Sequence, residues 1–215
     1  MSFSHWQLAP KDLFKITPVV PVMVIERLED AVPMAEALMA GGIRLLEVTL
    51  RSEVALSAIE RLRERIPKAI VGAGTVTTPA QLQQVKAAGA QFAISPGVTN
   101  DLLRAGAHGD VPLIPGIATI SELMMARDIG YDHLKFFPAE AAGGTAMLKS
   151  IAGPFPDISF CPTGGIHQDN YREYLALPNV RCVGGSWILP KAAINAGDWT
   201  AVTAAAKAAT SQAKG

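Results

Sequence analysis

The sequence predicts an α/β protein: a single (β/α)8 TIM barrel with an extra N-terminal helix. Three observations carry that prediction. Short β-branched runs alternate with alanine-rich stretches along the 215 residues, which implies parallel strands joined by helical crossovers. The alternation repeats eight times at about 27 residues per unit, which suits a compact barrel of this class. The chain is also long enough for one well-filled core. Residues 1–215 therefore read as one domain, with 1–18 as a segment capping the barrel floor. A doubly wound open sheet is the alternative, since periodicity by itself does not show closure.

The elements follow in order. Apolar or β-branched runs place strands at 19–25, 44–49, 69–73, 92–95, 113–115, 134–137, 159–162 and 180–183. Between them, helical patterns fall at 28–40, 54–65, 79–88, 101–107 and 121–129. Four more fall at 145–151, 168–175, 191–196 and 199–211. The ends are punctuated accordingly. Gly41-Gly42 and Gly89 stand where helices close on glycine, and Thr78-Pro79 reads as an N-cap followed by a first-turn proline.

Composition excludes several classes of function. Hydrophobic residues make up 49% and charged residues 18%, with a formal net charge of +0, so neither a nucleic acid nor a membrane is expected as a partner. Residues 1–15 mix His5, Trp6, Gln7, Lys11 and Asp12, without the apolar core of a signal peptide. No run is apolar enough to span a bilayer, and a cytoplasmic location is expected. Cys161 and Cys182 lie in apolar runs and read as buried, reduced thiols. His5, His108, His133 and His167 show no metal-ligand spacing, so no protein-held metal and no cofactor are expected.

A barrel carries its chemistry at the C-terminal ends of its strands, and those ends are informative. Lys135 sits in Asp132-His-Leu-Lys-Phe-Phe-Pro138, with apolar neighbours around its stem. Burying an ammonium is costly. An apolar pocket favours the neutral amine, which attacks carbonyls to form a Schiff base. The alternative is a lysine at a strand end with its head in water. In the second strand Glu47, Thr49 and Arg51 share one face and Leu46, Val48 and Leu50 the other. The polar set should point inward, where a carboxylate must be paired or functional. A structural Glu47–Arg51 ion pair is the alternative; function is favoured because both residues sit near the end where ligands bind.

Other strand exits add parts. Val71-Gly-Ala-Gly-Thr-Val76 offers close backbone approach and the Thr75 hydroxyl, without the rest of a dinucleotide fingerprint. Cys161-Pro-Thr-Gly-Gly165 and Val183-Gly-Gly-Ser-Trp187 place glycine pairs after the seventh and eighth strands, where barrels bind phosphate through backbone amides. Tight turns needing positive φ would explain the same glycines. Pro96 and Pro115 read as structural turns at two further exits, with an apolar wall of the pocket as the alternative for Pro96; Glu140 reads as a solvated loop carboxylate. An activated amine, a carboxylate, a guanidinium, hydroxyls and a phosphate cradle suit carbon–carbon cleavage of a phosphorylated keto acid.

These residues closely resemble the 2-dehydro-3-deoxy-6-phosphogluconate (KDPG) and 4-hydroxy-2-oxoglutarate (KHG) aldolase family, class I lyases of the Entner–Doudoroff route. The resemblance runs from about Val19 to the C-terminal helix. It is carried by Gly41-Gly-Ile-Arg-Leu-Leu-Glu-Val-Thr-Leu-Arg51, Gly72-Ala-Gly-Thr75, Phe92-Ala-Ile-Ser-Pro-Gly97, Lys135-Phe-Phe-Pro-Ala-Glu140, Cys161-Pro-Thr-Gly-Gly165 and Gly184-Gly-Ser-Trp187. It implies that Lys135 forms the Schiff base with the substrate ketone or pyruvate, and that Glu47 shuttles protons, partly through water. Arg51 and Thr75 would hold the carboxylate, and Phe137 would pack on the pyruvyl group with Pro96 nearby. Gly164, Gly165, Gly185 and Ser186 would bind the phosphate while Thr163 lines the substrate chain.

The resemblance further implies a homotrimer, cleavage of KDPG to pyruvate and glyceraldehyde 3-phosphate, and in some members cleavage of KHG to pyruvate and glyoxylate. Ala118 and Ala142 depart from the family pattern, which often has Ser and Asn there; both bear on substrate detail. Three other readings stay open: an aldolase for the galactonate-derived epimer, a phosphosugar epimerase on the same barrel, and a metal-dependent pyruvate aldolase. A barrel that only binds phosphorylated ligands would leave the Lys135, Glu47 and Arg51 set without a role.

Overall fold

The computed structural model describes residues 3–211. Residues 1–2 and 212–215, at the ends of the expected 1–215 domain, lie outside the described residues. The strands are β1 Val19–Met23, β2 Leu45–Thr49, β3 Ile70–Gly74, β4 Ala93–Ile94, β5 Leu113–Ile114, β6 Gly116–Ile117, β7 His133–Phe136, β8 Ser159–Pro162 and β9 Val183–Gly185. The helices are α1 Pro10–Leu13, α2 Ala31–Ala40, α3 Ala55–Arg65, α4 Pro79–Ala87, α5 Asn100–His108, α6 Ile120–Ile129, α7 Gly144–Ala152, α8 Tyr171–Leu175, α9 Lys191–Ala196 and α10 Trp199–Ser211.

Among the described residues the strands form a curled six-stranded parallel sheet, ordered β5-β4-β3-β2-β1-β9, and a three-stranded parallel sheet, β6-β7-β8. The strand expected at 113–115 stops at Ile114, and a further short strand, β6, follows Pro115 where the sequence suggests a turn. Having no N–H, Pro115 cannot donate to a ladder, and β5 and β6 on either side of it pair in different sheets. Single parallel bridges, Phe160 to Val180 and Thr163 to Gly184, bring β8 beside the β9 segment. The last strand begins three residues later than expected, where Val183 N donates to Pro18 O at 2.9 Å.

Side-chain alternation sorts the apolar residues into two clusters. Leu46 and Val48 face outward into a large cluster with the helices. Val20, Leu45, Phe92, Ile94, Ile114, Cys161 and Cys182 fill an inner cluster. The short helix α1 adds Leu13 and Phe14 to it, 0% and 3% exposed. The inner face of β2 therefore changes from Leu45 to Glu47 and Thr49, two buried polar side chains above an apolar floor.

Local signals mostly act as the sequence indicates. Thr78 accepts from Gln81 N at 3.1 Å ahead of Pro79, and Gly42 and Gly89 take φ of 91° and 83° after α2 and α4. Gly41 serves a different end: a Cβ there would stand 2.4 Å from that of Ala206, so its absence lets α10 dock on α2. The expected helix at 28–40 opens with a 3-10 turn, Leu28–Asp30. That expected at 168–175 starts only at Tyr171, because Asn170 Oδ1 accepts from His167 N at 2.8 Å and holds a turn. Because Leu13 is fully buried in the inner cluster, Leu13→Ala should destabilise the chain by about 3 kcal/mol. Urea unfolding should show a lower midpoint at unchanged slope.

Candidate active site

Lys135 enters the interior from β7. Its backbone N donates to Pro115 O at 2.9 Å, and its Cα pairs with that of Cys161 on β8. The side chain is 7% exposed, and Nζ donates to Glu47 Oε1 at 3.3 Å. Glu47, 2% exposed, stands on β2 between Val22 and Gly72 in register. A Cβ on Gly74 would lie 2.1 Å from Glu47 Oε1, so only glycine there leaves room for the carboxylate.

Arg51 does not join this pair. Its Nε donates to Thr49 Oγ1 at 3.2 Å, and that hydroxyl in turn donates to Met23 O at 2.7 Å. The alternative reading, a structural Glu47–Arg51 ion pair, is thus not formed: Thr49, one alternation above Glu47, holds the guanidinium at the exposed mouth, and Lys135 takes the carboxylate. The two terminal nitrogens of Arg51 carry no hydrogen bond among the described residues.

Thr75 follows β3 with φ of 59°. A β-branched residue in the left-handed region is strained, and such strain gathers at functional sites. Nothing in the sequence marked it, since a left-handed position suggests glycine. The ring of Phe137 lies 5.3 Å from Lys135 Nζ. Pro96 passes so close over Gly116 that a Cβ there would be 2.5 Å from its carbonyl, which sets it beside the strand next to Lys135. Below, the Cys182 thiol is pushed well up by burial, then by its hydrogen bond to Cys161 and by the charge of Glu47. Both thiols are free and buried and act as apolar filling.

The two glycine pairs differ in kind. Gly164 and Gly165 adopt φ of 101° and 76°. The carbonyls of Thr163, Gly164 and Gly165 accept from Ala139 N at 2.8 Å, Glu140 N at 3.1 Å and Asn170 Nδ2 at 3.1 Å. The amides of Gly164 and Gly165 donate to no group among the described residues, and the buried Thr163 hydroxyl is likewise unpartnered. Gly184 and Gly185 instead make space: a Cβ would lie 2.2 Å from Thr163 Oγ1 or 1.7 Å from the Trp187 ring. Ser186 follows, exposed, on a cleft of about 700 Å³ lined also by Val22 and Val24. Val22 pairs in register with Glu47, so the cleft meets the mouth beside the lysine–carboxylate pair. Among the described residues, no group of three or more His, Cys, Asp or Glu side chains is placed to hold a metal ion.

Fold and site together define a carbon–carbon lyase of the Schiff-base type, built on a parallel α/β scaffold. The family model of the KDPG and KHG aldolases matches residues 11–205, and the chain belongs to that family. It is 59% identical over 211 residues to the 2-dehydro-3-deoxy-phosphogluconate aldolase of Pseudoalteromonas atlantica, covering 98% of each chain. To the KHG/KDPG aldolase of Escherichia coli it is 55% identical, over 98% of this chain and 99% of the other. A solved KDPG aldolase from Legionella pneumophila, with pyruvate captured at low pH as a covalent carbinolamine intermediate, superposes with a TM-score of 0.94. It is 56% identical and covers 95% of this chain and 100% of the other.

Removing one member of a buried pair leaves the other charge without compensation. Lys135→Met should therefore destabilise the fold by about 3 kcal/mol in urea titrations, and adding Glu47→Gln should restore most of that loss.

Proposed function

We propose that this chain is a class I aldolase that cleaves KDPG to pyruvate and glyceraldehyde 3-phosphate, with Lys135 as the nucleophile and Glu47 as the acid–base group. The observation that carries the proposal is the buried 3.3 Å contact between Lys135 Nζ and Glu47 Oε1 at the strand ends. A proton passing along it from amine to carboxylate leaves a neutral nucleophile beside a carboxylic acid. The amine adds to the substrate ketone to give a carbinolamine, and the acid, directly or through water, helps expel the hydroxyl as water. The resulting iminium is the electron sink. Glu47, again a base, takes the proton of the hydroxyl on the distal carbon, and the adjacent carbon–carbon bond breaks. Its electron pair moves into the iminium to form an enamine, and the aldehyde leaves. Protonation of the enamine carbon and hydrolysis of the imine then release pyruvate and regenerate the amine.

The remaining groups bind. Arg51, with two nitrogens uncommitted at the mouth, suits the substrate carboxylate by its planar fork, with the Thr75 hydroxyl beside it. Phe137 and Pro96 form apolar wall around the pyruvyl carbons. The unpartnered Gly164 and Gly165 amides, with Gly185 and Ser186, receive the phosphate. Thr163 offers its unpartnered hydroxyl to the chain between. The names of the relatives and the trapped pyruvate in the Legionella structure support this reading.

The architecture is read in the same way. The three-stranded sheet closes on the six-stranded one through the Thr163–Gly184 bridge, and β5 and β6 act as one strand interrupted at Pro115. One eight-stranded barrel domain results, with α1 on its floor. A homotrimer follows from the family resemblance, as does a cytoplasmic enzyme; no described helix is long and apolar enough to cross a membrane. KHG, which lacks the phosphate, is a second substrate that uses the same amine and carboxylate.

Pyruvate release from KDPG, followed through a lactate dehydrogenase couple, tests the proposal. Glu47→Gln should lower kcat by about 100-fold or more while binding stays measurable. Unchanged turnover would remove Glu47 from the mechanism, and preferential cleavage of the galactonate-derived epimer would reassign the substrate.

A further inference from the structure

The loop after β7 carries a carboxylate, Glu140, that has no part in the chemistry above, and its attachments are specific. Ala139 N and Glu140 N donate to the Thr163 and Gly164 carbonyls, so the loop continues the β7–β8 pairing beyond the strand ends. The Glu140 side chain then lies over Gly165: a Cβ on that glycine would be 2.5 Å from Glu140 Cγ. Its Oε1 accepts the hydroxyl of Tyr174, a buried residue of α8. Gly144 lies against this contact: a Cβ there would sit 3.3 Å from the Tyr174 oxygen and 3.6 Å from Glu140 Oε1. On its other side the turn is held by Asn170, whose Nδ2 donates to Gly165 O.

We infer that Glu140 and Tyr174 form a clamp that holds the Gly164–Gly165 turn with its amides presented to phosphate, and so act as positioning residues that set preference for phosphorylated keto acids. The inference deepens the aldolase reading and rests on it. Two successive glycines in the left-handed region are intrinsically flexible backbone. A cradle already ordered binds its anion without the entropy cost of ordering. Burial, and then the carboxylate, push the Tyr174 hydroxyl well above its ordinary value, so it remains a donor across the working pH range.

Tyr174→Phe, Glu140→Ala, Glu140→Gln and the double Tyr174→Phe/Glu140→Ala separate this role from a general one. Two readouts are needed: steady-state kinetics on KDPG with inorganic phosphate as inhibitor, and exchange of the pyruvate methyl protons in D2O followed by NMR. Exchange uses Lys135 and Glu47 but no phosphate. Tyr174→Phe and Glu140→Ala should each raise KM for KDPG and the phosphate inhibition constant about tenfold, the loss of one hydrogen bond. The double should be no worse, because the two groups act as one unit.

In all of these variants kcat should stay within about twofold and exchange should be unchanged. Glu140→Gln, whose amide oxygen still accepts from Tyr174, should stay near the unmodified protein. Exchange and turnover falling together, an unmoved KM, or Glu140→Gln as poor as Glu140→Ala would each overturn the clamp. An unmodified protein that exchanges pyruvate protons but does not cleave KDPG would instead overturn the substrate reading, and phosphate binding to the same variants would still decide the clamp.

Discussion

Two opposite charges, the Lys135 ammonium and the Glu47 carboxylate, meet 3.3 Å apart with almost no access to solvent. Taking both out of water costs several kcal/mol per ion before any attraction is counted. A fold chosen for stability alone would put apolar side chains at both positions. Much of the surrounding sequence is arranged to hold the pair. Gly74 leaves space for the carboxylate, β2 places Glu47 beyond the apolar layer of Leu45, Phe92 and the two cysteines, and Leu13 and Phe14 pack into that layer. The arrangement brings an amine and a carboxylate into direct hydrogen-bond contact with little access to solvent.

Glycine does three separate jobs around this centre. Gly74 is required by space, Gly164 and Gly165 by positive φ, and Gly184 and Gly185 by the side chains of Thr163 and Trp187. The first pair turns its carbonyls into protein hydrogen bonds and leaves its amides uncommitted, whereas the second lets β9 approach β8 and brings Ser186 to the cleft. The loop glycines are flexible by themselves; neighbouring loops hold them in place through Ala139, Glu140 and Asn170.

Much of this was legible in the sequence, for reasons of period and composition. Alternation in 44–51 put Glu47, Thr49 and Arg51 on one face, and the apolar run around Lys135 marked an amine out of water. What the sequence could not supply was partnership across the fold. Glu47 is 88 residues from Lys135 and four from Arg51, so spacing left the choice of cation open, and register across the strands selects the farther one. Thr75 in a left-handed conformation, the Glu140–Tyr174 contact and the late start of β9 likewise depend on tertiary packing. Pro115 was visible as a turn, but not as the point where one strand serves two sheets.

The central claim is that Lys135 is an amine poised to attack a carbonyl, and reductive trapping addresses it most directly. The protein is incubated with pyruvate and sodium borohydride, digested, and its peptides mapped by mass. The account predicts a reduced pyruvyl adduct on Lys135 alone, with loss of activity in proportion to labelling. No adduct in protein that still turns over substrate, or an adduct on another lysine, would contradict it.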